Sequence, residues 1–354
     1  MKTGYIMLLT SLSISASGIF IPNIAREFGA SHFTISMIVV AYNLSSFIAY
    51  YIFGRASDLY GRRLFIKIGL LASILTFAMQ ALSDSNMMLV ITRVMAGFTV
   101  GIFPAALTAY IFEKKKNLGK FSSYGSLGWA LGAVMAGVVA YYKQIFLLSS
   151  LAFVIAFAVS LMLSKGPEKK IHVPLFPKDV IKRNLRVYVS FTLRHTGANM
   201  AWTILPLYMA NLGASILAIG LMSFLNTGTQ AILLRRLGRF KSQSLVTVGL
   251  FLSVLVFVAY PMASNYLQVV PIQIMLGFAW STLYLGCLKS LGEKNVEKAT
   301  STGLLYSSQS LAAIIGPVLC GLLPSINNYA YVMGGAALIA LLGFVVDNLK
   351  KTIN

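Results

Sequence analysis

Apolar stretches of about 20 residues recur along the whole chain and are separated by short polar segments. A helix of about 20 apolar residues is long enough to cross a bilayer core of roughly 30 Å. The pattern predicts twelve transmembrane helices, near residues 4–24, 33–53, 64–82, 86–111, 120–140, 144–164, 187–210, 215–234, 243–263, 266–288, 298–323 and 327–347. A soluble core of 354 residues could not bury so many wholly apolar helices. We therefore predict an all-α polytopic membrane protein.

Composition agrees with this class. The chain is 57% hydrophobic and only 11% charged, with a mean hydropathy of +0.78, whereas soluble domains average about 25% charged residues. Both cysteines, Cys287 and Cys320, fall within predicted spans and are expected to be buried apolar residues rather than a disulfide or metal pair. The three histidines lie far apart in the sequence, so we predict no metal site and no cofactor.

The net charge of +20 could suggest nucleic-acid binding, but its distribution follows the predicted membrane topology. Of the 29 Lys and Arg residues, Arg93 and Arg194 fall inside spans, and Arg26 and Lys143 fall in one set of alternate loops. The remaining 25 lie in the other set of loops and at the two termini. This asymmetry predicts that both termini are cytoplasmic in a cell membrane, with the basic loops near anionic lipid, and it gives nucleic acid little weight.

The longest polar interruption, 165–186, is rich in proline and basic residues and predicts a cytoplasmic linker. It separates a six-helix half at 1–164 from a second at 187–354. The halves share similar residues at nearly constant offsets, for instance Phe28-Gly29-Ala30-Ser31 and Leu212-Gly213-Ala214-Ser215, 184 positions apart. Since each half has an even number of spans, the repeat is parallel, and two similar bundles facing each other predict a central cavity.

The turn between the second and third spans, 54–63, has features that a simple loop does not need. Gly54 is small enough for close helix packing in lipid, and Gly61 permits a tight turn. Asp58, at the membrane surface, can accept hydrogen bonds from the free amides of a helix N-terminus. These residues predict a contact with another helix.

Three segments carry a resemblance to a known family. Gly54-Arg55-Ala56-Ser57-Asp58-Leu59-Tyr60-Gly61-Arg62-Arg63-Leu64 resembles the signature between helices 2 and 3 of the major facilitator superfamily. Arg93-Val94-Met95-Ala96-Gly97 is similar to its helix 4 signature, and Tyr124-Gly125-Ser126-Leu127-Gly128-Trp129-Ala130-Leu131-Gly132 resembles its glycine-rich helix 5. The resemblance implies a transporter of two pseudo-symmetric six-helix bundles. The chain departs from the family at Leu59, where a basic residue is usual, and the second-half counterpart at 235–239 lacks the acid.

The resemblance also implies a gate on the cytoplasmic side. Asp58 is expected to meet the start of helix 11, near Lys298-Ala299-Thr300, while Arg62 and Arg63 pair with Glu113. These contacts would hold the two halves together when the cavity opens outward. The alternative is that Arg62 and Arg63 only determine topology. We predict a gate formed by Gly54, Asp58, Gly61, Arg62, Arg63 and Glu113.

Arg93 and Arg194 are candidates for solute or coupling-ion contact. Each lies roughly 10–12 Å of helix rise inside its span. A buried arginine costs about 2.5–3.5 kcal/mol on insertion scales and usually faces the bundle interior or a wet cavity. The alternative for Arg93 is a structural bond to neighbouring carbonyls. His195, which follows Arg194, is a further candidate, and the alternative for this pair is that Arg194 extends to the lipid headgroups.

All nine acidic residues fall in loops or at helix ends, so no carboxylate is buried in mid-membrane. His195 is the only mid-span group that titrates near physiological pH, with an ordinary pKa of about 6.5. Protons are therefore a candidate coupling ion through His195, a cationic solute or Glu27, and the remaining alternative is a uniporter or exchanger. Two intramembrane arginines without acids favour an anionic or neutral polar solute over a cation.

Other polar and aromatic residues fall near the middle of predicted spans and are candidates to line the cavity. They are Asn43, Asn199, Trp202, Asn226, Gln230, Gln273, Tyr284 and Gln309. A buried amide needs a hydrogen-bond partner, so the alternative is that helix–helix hydrogen bonds occupy most of them.

The sequence thus predicts a secondary transporter, expected to be monomeric, that moves a small organic solute by rocking its two bundles to expose the cavity alternately. A proton-coupled drug efflux pump is the alternative. A membrane-embedded enzyme would need a nucleophile with a base or a metal cluster within the membrane. The interiors of the predicted spans hold no acidic residue and one histidine, so we predict no catalytic residue.

Overall fold

A computed structural model describes residues 1–164, 168–323 and 329–349. Three short stretches lie outside the described residues: 165–167 at the start of the predicted linker, 324–328 before the last helix, and 350–354 at the end of the chain. The first two residues of the last predicted span, 327 and 328, fall in the second stretch.

Twelve long helices account for most of the described residues. They are α1 Lys2–Glu27, α2 His32–Tyr60, α3 Arg62–Gln80, α4 Asn86–Glu113, α5 Leu118–Val139, α6 Tyr142–Leu161, α7 Lys178–Asn211, α8 Ile216–Leu237, α9 Ser242–Met262, α10 Tyr266–Lys294, α11 Lys298–Leu322 and α12 Tyr329–Asn348. Each corresponds to one predicted span, which confirms the all-α membrane fold class.

Ten of these helices are long and apolar enough to cross a membrane. The other two are α5, which is rich in glycine and serine, and α7, which begins with a polar segment. Helix α7 begins at Lys178, directly after Pro177, so residues 178–186 of the predicted linker are helical. Proline suits the start of a helix because its missing N–H would have no partner there.

Proline also explains the breaks within helices. Helix α1 is interrupted at Phe20 before Pro22, and α4 is interrupted at Phe103 before Pro104. Helix α9 ends in a short 3₁₀ turn that contains Pro261. Proline lacks the N–H that continues the helical hydrogen-bond ladder, so the helix changes direction or pitch there.

The helices pack as two similar bundles, α1–α6 and α7–α12. Helix α1 packs on α5 and α6, as α7 packs on α11 and α12, and α2 packs on α4 as α8 packs on α10. The sequence repeat has matching local geometry: Gly29 and Gly213 both adopt positive φ, at 75° and 87°. The next serines, Ser31 and Ser215, each cap the following helix through the side-chain oxygen.

The two bundles meet mainly through α2 with α11 and α5 with α8. Hydrogen bonds between them join Ser307 to the Phe47 carbonyl, Gln230 to Ser126, and Arg235 to Ser123. These residues lie in the half of the molecule nearer the turn between α2 and α3. We call that side the basic face, because its loops hold most of the Lys and Arg residues. The bundles are therefore joined at the basic face.

Candidate functional site

A cavity of about 560 Å³ lies between the bundles, at the middle of the helices. Every amide and aromatic residue predicted to line it does so, as does His195. The list is Asn43, Asn199, Trp202, Asn226, Gln230, Gln273, Tyr284 and Gln309. Aromatic residues that the sequence did not single out also contribute: Tyr42, Tyr50, Phe103, Trp129, Trp280 and Tyr306. All three tryptophans of the chain therefore face this cavity.

Among the described residues, no Asp, Glu, Lys or Arg lines the cavity. Its polarity comes from amides and hydroxyls, several of which bond to one another. Ser126 donates to Gln230 Oε1 at 3.2 Å, Gln230 donates to Asn226 Oδ1 at 2.6 Å, and Asn226 donates to Gln273 Oε1 at 3.0 Å. This chain of bonds begins in one bundle and ends deep in the other. The predicted helix–helix hydrogen bonds therefore occupy part of the amide set.

One wall of the cavity is aromatic and centres on His195. The His195 ring stacks on Phe191 with centroids 5.5 Å apart, and it contacts Trp202 and Trp280 at 5.4 and 5.2 Å. Trp280 in turn stacks on Tyr284 at 5.1 Å. The imidazole is buried, and its Nδ1 has no hydrogen-bond partner in the described part of the chain. This wall offers flat apolar faces and one unsatisfied nitrogen.

Tyrosines separate the cavity from the basic face. The hydroxyls of Tyr284 and Tyr306 lie 3.1 Å apart, and Thr108 bonds to the Tyr306 hydroxyl at 3.0 Å. The Tyr50 ring packs on the Tyr306 ring, with centroids 5.4 Å apart. Thr108 and Tyr50 belong to the first bundle, and Tyr284 and Tyr306 belong to the second. The cluster therefore closes the cavity on the side of the basic face, and we call it the tyrosine floor.

Neither of the two intramembrane arginines reaches the cavity surface. Arg93 Nη1 donates to Gln80 Oε1 at 3.2 Å, a side-chain amide rather than the backbone carbonyl considered above. Arg194 Nε donates to Ser253 Oγ at 2.7 Å, and its side chain is fully buried rather than extended to the headgroups. Both guanidinium groups lie behind the cavity wall.

Asp58 meets the first turn of α11 at the basic face. Its Oδ2 accepts hydrogen bonds from the Thr300 amide and hydroxyl, both at 2.6 Å, and its Oδ1 accepts from the Ala299 amide at 3.3 Å. The carboxylate is fully buried. A buried anion at a helix N-terminus is stabilised by the free amides and by the helix dipole. This geometry joins the two bundles at one point.

Arg62 is the cation that balances this buried acid. Its Nη2 lies 2.6 Å from Asp58 Oδ1 and 2.9 Å from Glu113 Oε1, and its side chain is fully buried. Arg63, expected to share Glu113, instead pairs with Glu168 at 2.7 Å. The expectation failed for Arg63 because the linker folds back onto the turn and brings its own carboxylate there.

Glycines allow the helices to approach at the same point. A Cβ at Gly54 would lie 2.8 Å from the Ala299 carbonyl oxygen, and one at Gly303 would lie 2.5 Å from the Tyr50 carbonyl oxygen. Gly61 has φ 114°, which a residue with a side chain rarely adopts. The predicted gate is thus built as a polar contact beside a close backbone crossing of α2 and α11.

The family model of the Major Facilitator Superfamily matches residues 4–302. This chain belongs to that superfamily. It is accordingly a multi-pass membrane transporter and not an enzyme, as predicted.

Relatives and solved structures agree at the level of the superfamily. An uncharacterised MFS-type transporter of Methanocaldococcus jannaschii is 23% identical over 353 residues, which cover 92% of this chain and 91% of the relative. The quinolone resistance protein NorA of Staphylococcus aureus is 25% identical over 181 residues, or 48% of this chain. That match spans about half of NorA, 47% of its length.

Among solved structures, the human organic anion transporter MFSD10 superposes with a TM-score of 0.84. The two share 16% sequence identity, and the match covers 98% of both chains. At this identity the likeness shows the fold alone.

In this superfamily member, the linker packs on the end of α2, beside Asp58. The Ile171 amide donates to the Asp58 carbonyl at 2.8 Å, Arg55 Nε donates to the Val173 carbonyl at 2.9 Å, and the Tyr51 hydroxyl donates to the Leu175 carbonyl at 2.5 Å. We call residues 168–175 the linker strap. Little in the sequence predicts this strap, because most of these bonds use linker backbone carbonyls, which every residue type has.

The second-half counterpart of the turn is built differently. Gly238 has φ −58°, an ordinary helical value, where Gly61 is strongly positive. Arg235 Nε donates to Ser123 Oγ at 3.0 Å, which joins α8 to α5 without a carboxylate. The first half thus has a buried ion pair at its turn, whereas in the second half an arginine donates to an uncharged hydroxyl.

Proposed function

We propose that this transporter moves a small organic solute through the cavity between its bundles by alternating access. The bundles rock against each other, so that the cavity opens first to one side of the membrane and then to the other. The single observation that carries this proposal is a cavity between the two bundles that no Asp, Glu, Lys or Arg lines among the described residues, with bonds between the bundles on its basic-face side. The Asp58 contact with α11 and the tyrosine floor are the bonds that must break for the cavity to open there.

The chemistry of the wall favours amphiphilic aromatic solutes. Three tryptophans and several tyrosines offer flat faces for stacking, and the amides offer both donors and acceptors. A solute in this conformation would meet no charged side chain, so its recognition would rest on shape, stacking and hydrogen bonds. The uncharged lining supports a neutral polar solute, which is one of the two expected classes. An anionic solute, the other class, would find no Lys or Arg on the described cavity surface with which to form an ion pair.

Drug-type export is the second candidate. It is favoured by the aromatic wall and by the partial similarity to the quinolone resistance protein NorA. We further propose that the chain works as a monomer in the cell membrane, surrounded by lipid, with both termini in the cytoplasm. The basic loops support this orientation.

Intrinsic fluorescence gives a direct test of the cavity as the solute site. Because all three tryptophans line it, a bound aromatic solute should change the emission of the purified protein in a saturable way. Thermal-shift screening of organic anions, sugars and cationic dyes would first identify binders, since a ligand that binds the folded state raises its stability. Replacing Trp129, Trp202 or Trp280 singly with phenylalanine should each reduce the signal. A binder transported by proteoliposomes that leaves emission unchanged would place the solute site elsewhere.

Proton coupling is tested at His195, the histidine of the cavity wall. If it carries the coupling proton, His195→Gln should abolish the pH dependence of transport and leave the exchange of labelled solute intact. Glutamine keeps a hydrogen-bonding side chain but cannot bind a proton at these pH values. Both rates are measured in proteoliposomes. A pH dependence like that of the wild type would exclude His195 as the coupling group and favour a uniporter or another proton carrier.

A further inference from the structure

Two buried arginines stand behind the cavity, one in each bundle, and each is separated from it by one aromatic ring. The Arg93 guanidinium carbon lies 4.1 Å from the centroid of Tyr42, which lines the cavity. The Arg194 guanidinium carbon lies 5.5 Å from the centroid of Trp280, which lines it from the other bundle. The same arrangement therefore occurs on both sides of the solute site.

Neither charge is balanced by a carboxylate. Within residues 1–164, 168–323 and 329–349, the ion pairs involve other arginines, all near the basic face. Hydrogen bonding is also incomplete, because Arg93 Nε and both Nη atoms of Arg194 have no partner in the described part of the chain. An arginine remains protonated in proteins at ordinary pH, so both groups are cations.

An uncompensated cation acts strongly over short distances in this setting. The interaction of two charges grows as the effective dielectric constant falls, and both guanidinium groups are buried between apolar helices. An aromatic ring accepts a cation on its face but supplies no net charge, so it leaves the field of the guanidinium in place. The neutral cavity surface therefore lies between two positive charges that a solute cannot touch.

We propose that Arg93 and Arg194 make this cavity selective for aromatic solutes that carry an anionic group, without contact between the arginines and the solute. The selectivity rests on the proposed solute site. It operates through the field of two shielded cations, whereas stacking on Trp202 and Trp280 supplies the part of the affinity that is independent of charge. The affinity of an anion is raised by both stacking and the field of the arginines. A neutral analogue gains affinity from stacking alone, and the field lowers the affinity of a cation.

Matched probes separate these terms. The probes 2-naphthoate, 2-naphthamide and 2-naphthylmethylammonium share one ring system and differ in charge. Calorimetric titration of the wild-type protein should give naphthoate binding roughly tenfold tighter than naphthamide, as expected for unit charges several Å apart in a medium of intermediate dielectric, with the cation weakest. Arg93→Gln and Arg194→Gln should each lower the naphthoate-to-naphthamide ratio several-fold, while Arg93→Lys and Arg194→Lys should retain most of it.

Lys143→Gln is the matched control, because it removes one positive charge from an exposed position in the first turn of α6, where water screens it. The naphthoate-to-naphthamide ratio of this variant should equal that of the wild type. Equal binding of naphthoate and naphthamide by the wild type, or tightest binding of the cation, would overturn the proposal whether or not the glutamine variants fold. An unchanged ratio in folded glutamine variants would also overturn it, with the solute site itself still standing. Failure of all three probes to bind would contradict the solute site, and the selectivity with it.

Discussion

Asp58→Asn is expected to lower transport at least tenfold while leaving membrane insertion intact. Asparagine has the same shape, but its NH₂ group would face the Thr300 amide or Arg62, which are both donors. Losing a hydrogen bond to a charged group costs about 1.5–3 kcal/mol, and each 1.4 kcal/mol changes a conformational ratio tenfold. The conformation closed at the basic face should therefore become rare, and the alternation should stall. Solute uptake into proteoliposomes, normalised to inserted protein, measures the effect.

Arg63→Gln is the control for this prediction. The Arg63–Glu168 pair lies at the edge of the same turn, with 27% and 13% of the two side chains exposed. Solvent-exposed ion pairs contribute about 0–1 kcal/mol, so this variant should lose less than about fivefold. Transport by Asp58→Asn at the wild-type level would show that the contact of Asp58 with α11 does not gate the cavity.

Gly303→Ala is expected to reduce transport about tenfold, by holding α2 and α11 apart. The added Cβ would lie 2.5 Å from the Tyr50 carbonyl oxygen and 3.0 Å from the Gly54 Cα, both backbone atoms that cannot turn away. Overpacking of this kind costs about 1–3 kcal/mol. Alanine is the better helix former by about 1 kcal/mol, so helix propensity alone predicts that Gly303→Ala stabilises α11.

A chemical label distinguishes separation of α2 and α11 from a change in helix propensity. With Cys287 and Cys320 replaced by alanine, a cysteine at the buried position of Ser307 reports separation of the bundles, because Ser307 bonds to the Phe47 carbonyl across the interface. Gly303→Ala should increase its reaction with a membrane-impermeant maleimide from the basic face. Gly321→Ala, on the same helix but with open space around it, should change neither labelling nor transport. Equal labelling in both alanine variants would contradict the close-crossing argument.

The sequence predicted the fold well because a membrane constrains it at every span. Helix number and the parallel repeat followed from the apolar stretches and the residues shared by the two halves. That Asp58 contacts a helix N-terminus followed from the turn itself, whereas the choice of α11 came from the resemblance to the superfamily. Arg63 was assigned the wrong carboxylate, because its partner Glu168 lies on a linker whose path depends on tertiary contacts. Such a path leaves no periodic signal in the sequence.

The cavity was predictable in its amides and less so in its aromatics. Asn226 and Gln273 are costly in lipid, so their presence in a span already indicated an interior position. Tyr42 and Trp280 carry no such cost, since aromatic side chains also pack well against lipid, and their place in the cavity wall emerged only from packing. The positions of Arg93 and Arg194 were also only partly predictable. The cost of burying an arginine in the membrane indicates that it lies in the protein interior, but not whether it faces the cavity or lies behind its wall.

The linker strap shortens the segment of chain that connects the two bundles. Leu175 is bonded to Tyr51 of the first bundle, and the first helix of the second bundle begins at Lys178. In a connection of 22 residues in sequence, Phe176 and Pro177 are thus the two residues between these attachments, and proline fixes one of their backbone torsions. Such a joint permits rotation but little separation. The bundles should therefore turn about this joint, so that the angle between them changes while their separation at residues 175–178 stays nearly constant.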